Sequence, residues 1–240
     1  MGVRSWLAVV RRAESRLAPI VGAFVALTGC GGGGGGNGAT IGFPLARGYA
    51  ALVAAGESGD FNVSGTCTGT ATLTSNPATA GIFEGEPVYT IADARTWQLS
   101  GCGSYTPTVN WTDYYDLNYA LAGSTSAVSS AYGVVPTPRD ALPDTAHVGD
   151  AGARDTEIIY TDSGKTVVNA RSDRSYVVEP DGPDTAIVNF IVKEYDASGR
   201  LIETVQSRYR IDAAGTMTKI SVDYQWSTIS TTHLLLTRSR

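Results

Sequence analysis

"SYVVEPDGPDTAIVNFIVKEYDASGRLIETVQSRYRIDAAGTMTKISVDYQW", Ser175 to Trp226, is the stretch whose reading decides the fold. Strand-forming runs alternate with short clusters of turn formers: Asp181-Gly182-Pro183, Asp196-Ala197-Ser198-Gly199 and Asp212-Ala213-Ala214-Gly215. Asp and Ser hydrogen-bond their own backbone, and Gly supplies the positive φ that tight connections need. The pattern is a β-meander. In its last run Ile220, Val222, Tyr224 and Trp226 alternate with Lys219, Ser221, Asp223 and Gln225, so one face is buried and the other wet. The turns at Asp196 and Asp212 imply strands of about ten to twelve residues, a length suited to a curved sheet or half-barrel.

Upstream, "TEIIYTDSGKTVVN" (Thr156 to Asn169) adds another hairpin around Asp162-Ser163-Gly164. "DFNVSGTCTGTATLTS" (Asp60 to Ser75) is threonine-rich and alternating, and further short strands are expected at Ile82–Phe83, Val88–Ile91 and Thr96–Gly101. Between Ser104 and Gly152 regular patterning fades, and the expectation is long surface loops. One helix precedes the strands: Leu45, Tyr49, Leu52 and Val53 fall at helical spacing between Pro44 and Gly56, which predicts Pro44 to Ala55. The fold expected is mainly β, an antiparallel meander with one short N-terminal helix, α+β being the alternative class. A chain of 240 residues with 17% charged residues supports one such domain over 41–240.

The first residues differ in kind. Arg4, Arg11, Arg12 and Arg16 precede the uncharged run Leu17 to Thr28, which is the layout of a signal peptide. Twelve such residues span about 18 Å of helix, too little for a hydrocarbon core of about 30 Å. The run ends in Leu27-Thr28-Gly29-Cys30, which resembles the lipobox of bacterial lipoproteins. The resemblance implies a leader over 1–29, diacylglycerol and further acylation (palmitate) on Cys30, and a Gly-rich tether over 30–40. Each buried methylene contributes about 0.8 kcal/mol, so two or three acyl chains hold a protein at a membrane without any spanning segment. Gly31 stands where aspartate commonly marks inner-membrane retention in such lipoproteins, so the resemblance implies the outer membrane, with the periplasmic or surface face left open. The six glycines lack the flanking strand and helix of a phosphate loop; Gly31 to Gly38 reads as a flexible tether of roughly 16 Å.

Removal of the leader would leave 14 basic against 22 acidic residues, a net charge of −8. No basic patch for nucleic acid is expected. In an exported chain the remaining cysteines, Cys67 and Cys102, are expected to pair as a disulfide.

Familiar catalytic signatures are missing. Gly164-Lys165-Thr166 ends like a Walker motif, but Ile159 occupies the position of its first glycine; neither G-x-S-x-G nor HExxH occurs. His147 lies among the loop acids Asp144 and Asp150, where solvated loop charges are a better reading than a proton-transfer pair, and His233 alternates with leucines in a terminal strand pattern and reads as structural. The candidate ligand or partner loop is "NWTDYYDLNYA", where Trp111, Tyr114, Tyr115 and Tyr119 interleave with Asp113 and Asp116. Aromatic faces beside carboxylates suit an envelope protein or a glycan. Asn118 adds a further oxygen, but the spacing does not match a calcium loop, so no metal or other cofactor is expected.

Together the lipobox, the polyglycine tether, "SGTCTGTATLT", "YYDLNYA" and the terminal meander look similar to uncharacterised Gram-negative (proteobacterial) lipoproteins, a resemblance that carries over no catalytic residues. The functional expectation is a membrane-anchored envelope lipoprotein with a binding or structural role and no enzymatic activity; the alternatives are an envelope hydrolase using Asp113 or Asp116, or a periplasmic lipid carrier. In the native host, mass spectrometry of the mature protein should show a lipidated Cys30 as its first residue, and Cys30→Ser should leave the leader uncut.

Overall fold

A computed structural model describes residues 41–102, 107–227 and 232–239. Cys30, the leader and the tether lie outside them. The helix α1, Leu45–Ala55, follows Pro44 and ends at Gly56, whose φ of 70° and N–H bond to the Leu52 carbonyl, 3.0 Å, close its last turn. Thirteen strands follow: β1 (Glu57–Gly65), β2 (Thr68–Ser75), β3 (Thr79–Phe83), β4 (Glu86–Ser100), β5 (Thr108–Tyr115), β6 (Leu121–Ser126), β7 (Tyr132–Val134), β8 (Ala151–Tyr160), β9 (Val168–Pro180), β10 (Thr185–Asp196), β11 (Leu201–Asp212), β12 (Met217–Trp226) and β13 (Thr232–Arg238).

Every pairing is antiparallel, and the sheet closes. β13 pairs with β1 from Phe61↔Arg238 to Gly65↔Leu234, and β2 pairs with β4 from Thr68↔Ser100 to Ser75↔Asp93. β3 sits beyond the end of β2 along the same edge of β4, pairing its Glu86–Thr90 portion. Twelve strands, β1, β2 and β4 to β13, therefore form a complete barrel where a half-barrel was also open from the sequence. The expected turns fall where expected: Asp196 and Asp212 each accept backbone N–H bonds of their own turn, from Ser198 and Arg200 and from Thr216. Cys67 and Cys102 are joined, with Cα atoms 5.3 Å apart, stapling the β1–β2 turn to the end of β4.

Two expectations need correction. The segment from Ser104 to Gly152 is not loop throughout, because it holds β5, β6 and β7; the described stretch without strands or helix within it that runs longest is 135–150. The separate strands expected at Val88–Ile91 and Thr96–Gly101 are one strand, β4, of 15 residues. The cause is the barrel interior, which is partly polar, so inward and outward positions of β4 and β5 do not contrast in hydropathy.

Inside the barrel, Phe61, Val63, Trp97, Val222, Tyr224, Leu234 and Leu236 form one apolar cluster. A second gathers around the helix: Leu45 packs with Val178, Ala186, Ile211 and Met217, and Tyr49 sits 5.3 Å from the Phe190 ring. The helix thus closes the barrel end formed by the β9–β10 and β11–β12 turns. Gly48 permits this approach, since a Cβ there would stand 2.5 Å from the Gly215 carbonyl oxygen. The outer wall is polar: Asn62, Thr70, Thr72 and Gln98 are exposed, and Arg208–Glu179 (3.3 Å) and Arg171–Asp173 (3.1 Å) pair upon it.

Leu45 has no exposed surface. Leu45→Ala should therefore cost about 2–5 kcal/mol, read as a lower guanidinium midpoint with an unchanged slope.

Candidate functional site

A chamber of about 210 Å³ lies inside the barrel, and no helix residue lines it. Its charged members come from positions that share a face with core residues. On β10, Glu194 follows Phe190 and Val192 in the inward parity; on β11, Glu203 precedes Val205. Glu194 and Glu203 stand directly opposite each other in register, 7% and 3% exposed. Side chains so paired have Cβ atoms about 5 Å apart.

In the same register row, with only Ser172 of β9 between it and Glu194, Glu157 on β8 is 1% exposed and held from two sides. Its Oε1 accepts the Ser124 hydroxyl at 2.5 Å and its Oε2 accepts Arg174 at 2.8 Å. Arg174 also donates to Asp155, at 3.0 Å. Burial opposes the Arg174 charge, but the carboxylates of Glu157 and Asp155 outweigh it and leave the guanidinium more firmly protonated than usual. Gly133 makes room: a Cβ there would lie well inside contact distance of the Glu157 oxygen.

Asp113, on β5, points into the same chamber. Burial, then the charges of Asp93 and Glu157, push its carboxyl well above the usual range; Arg174 and the Trp111 Nε1–H, 3.3 Å away, act in the opposite sense. Arg95 on β4 enters from the other wall, stacked on three rings, 4.5 Å from Tyr224, 5.2 Å from Trp111 and 5.4 Å from Trp97. Cation–π contacts of this kind fix a guanidinium without consuming its N–H groups. Its Nε is buried with no acceptor among the described residues.

A smaller cavity, about 70 Å³, separates the helix from the barrel wall and is lined by Leu52, Val53, Tyr115, Tyr209 and Asp93 among others. Burial raises the Asp93 carboxyl to about 6, against the pull of the Ser75 hydroxyl bonded to it and of Lys219 and Arg95.

The aromatic and acidic side chains of "NWTDYYDLNYA" thus do not form one surface loop. Trp111 and Asp113 line the chamber. Tyr115 faces the helix, its hydroxyl 3.5 Å from that of Tyr49. Tyr114 points outward and stacks on Phe83 at 4.3 Å. Asp116 accepts the N–H groups of Asn118 and Ala120 in its own turn, at 2.8 and 3.0 Å, and Tyr119 stacks on Tyr89 at 4.8 Å. His147 and Asp150 meet at 3.6 Å in an exposed loop, and His233 reaches Asp223 at 3.0 Å on the outer wall. Among the described residues no group of three or more His, Cys, Asp or Glu side chains is arranged to hold a metal. Sequence reasoning passed over Arg95, Glu157, Arg174, Glu194 and Glu203. The available signal was charge at the inward parity of strands, visible at Glu203 between Leu201 and Val205.

Comparison with protein-family profiles, curated proteins and solved structures yields no match, so the functional argument rests on this geometry.

The raised Asp93 carboxyl sets a pH dependence. The folded state holds a proton that the unfolded chain releases near pH 3.8, so this group's contribution makes stability fall as pH rises from about 4 to about 6. Asp93→Asn should match the wild type near pH 4 and exceed it at pH 7 by on the order of 2 kcal/mol, in urea titrations run at both values.

Proposed function

We propose that this chain is a lipid-anchored envelope protein of the outer membrane whose barrel binds a small polar ligand within its chamber. The lipobox-like Cys30 and the glycine tether support the anchor; the chamber supports the binding role. A barrel interior costs free energy to leave charged and hollow, because buried carboxylates and guanidiniums lose hydration that apolar packing would not require. Here the charges surround a space instead of filling it, and that single observation carries the reading.

A second reading has one observation in its favour. Asp116 is committed to its own turn, but Asp113 sits in the chamber with a raised carboxyl, as a general acid would, facing the hydrogen-bonded carboxylate of Glu157. Hydrolysis of a glycosidic or ester bond by this pair would lose at least 100-fold in turnover on Asp113→Asn, measured with chromogenic glycosides and esters. Absence of wild-type turnover on such a panel would remove this second reading and leave the first intact.

The binding reading is tested by saturation-transfer NMR with a fragment set of small amides, amines, carboxylates and amino acids. At least one fragment should bind the wild type and lose at least tenfold in affinity when Ser172→Trp or Ser126→Trp fills the chamber, with far-UV circular dichroism unchanged. A set in which nothing binds, or in which both filled variants bind as well as wild type, overturns it.

A further inference from the structure

The wall of the barrel is uneven. β8 and β9 pair through eight residues and β9 and β10 through eleven, but β7 is held by three pairs on each side, to Gly123, Ser124 and Thr125 of β6 and to Ile158, Ile159 and Tyr160 of β8. These are the shortest seams among the described strands. The middle residue of β7, Gly133, has no side chain, and the Glu157 carboxylate of the chamber lies directly behind it. A panel with so few ladder bonds has the least to break when the wall opens locally.

The tip of the β3–β4 hairpin covers this panel from outside. Phe83, 5% exposed, stacks on Tyr114 of β5 at 4.3 Å and on Tyr132 of β7 at 5.3 Å, and a Cβ on Gly123 would stand 2.6 Å from its ring. Val88 and Val134 pack into the same cluster. Beside Phe83, Glu84 accepts the Tyr132 hydroxyl at 2.5 Å and pairs with Lys165 of the β8–β9 turn. One carboxylate thus ties the hairpin to β7 and, beyond it, to the end of β8. The bonds from Lys165 and Tyr132 hold the Glu84 carboxyl below the usual range.

Both partners of that ion pair stand in left-handed backbone, which a residue with a Cβ disfavours. Glu84 has a φ of 53° and Lys165 of 54°, two of the three non-glycine residues with positive φ among the described residues. Glu84 and Gly85 form the two-residue turn between Phe83 and Glu86, where Asn-Gly is a favoured pair. Asn would suit the turn better, so what Glu adds at residue 84 is reach. Backbone of this kind persists where surrounding contacts impose it, and it gathers at clamps and switches.

We propose that β7 is a side door in the barrel wall and that the β3–β4 hairpin is the strap that keeps it shut, latched by Glu84 to Tyr132 and Lys165. Opening would part β7 from β6 or β8 and bare the chamber at Ser124 and Glu157 from the flank. That such an opening admits a solute rests on the chamber being a ligand site; the door itself does not.

The test is amide hydrogen exchange of the full chain, followed by mass spectrometry on peptides from β6 to β8 and from β9 to β12. Glu84→Asn and Lys165→Gly each place at a left-handed position a residue that tolerates it, and each removes the latch. In the wild type β7 should exchange before β9 to β12. Both variants should speed exchange over β6 to β8 by about fivefold, as loss of a partly exposed ion pair and a hydrogen bond would, with β9 to β12 unchanged. A turn-shaping role predicts the opposite sign, because a better turn would slow exchange or leave it alone. If one variant does not fold, the other decides. Wild-type β7 as slow as β9 to β12, no acceleration in either variant, or equal acceleration in every strand overturns the door. Fragments that bind while β7 stays shut remove the door alone, and a moving β7 with no fragment bound removes the ligand site alone.

Discussion

Twelve strands closed into a ring enclose more volume than their inward aliphatic side chains can fill. Barrels of about eight strands have interiors just wide enough to pack, and wider ones must plug the lumen or leave it partly open. This chain does both. The helix α1 stops one end, with Leu45 and Tyr49 reaching Ile211, Met217 and Phe190. One sector of the lumen is packed with Trp97, Tyr224 and Leu236. What remains is lined by the Arg174–Glu157–Ser124 network and by Arg95 among its rings. The charged chamber thus follows from strand number, and the closure between β1 and β13 fixes that number.

The same constraint explains what the sequence disclosed. In β10 to β12 the inward face is largely apolar near the helix, so alternation and turn residues such as Asp196 and Asp212 were legible at once. In β4 and β5 the inward positions include Asp93, Arg95, Asp113 and Tyr115, while Thr96, Asn110 and Thr112 lie on the outside. Both faces then read as polar or aromatic, and period-two patterning vanishes from a segment that is nevertheless strand. Closure itself leaves no local mark, since Phe61 and Arg238 meet across almost the whole chain.

The site was legible only in fragments. Trp111 and Asp113 stood out by composition, yet their neighbours Tyr114 and Tyr115 point to opposite sides of the wall, which a loop reading could not anticipate. Glu157 and Arg174 carry no motif, because their relation is set by neighbouring strands and not by spacing along one of them. Gly133 is the quietest contributor: only the approach of the Glu157 carboxylate shows why a side chain is missing there.

The path of the chain gives the barrel a direction. Residue 41 enters beside Phe43, which bridges Ala146 and packs against Val178 and Ala186 at the stoppered pole. Glu194 and Glu203 lie next to the turn at Asp196–Arg200, at the other pole. The two ends of the barrel are therefore unlike: one is shut by apolar side chains where the described chain begins, and the other keeps its paired acids, Glu194 and Glu203, just beneath the turn.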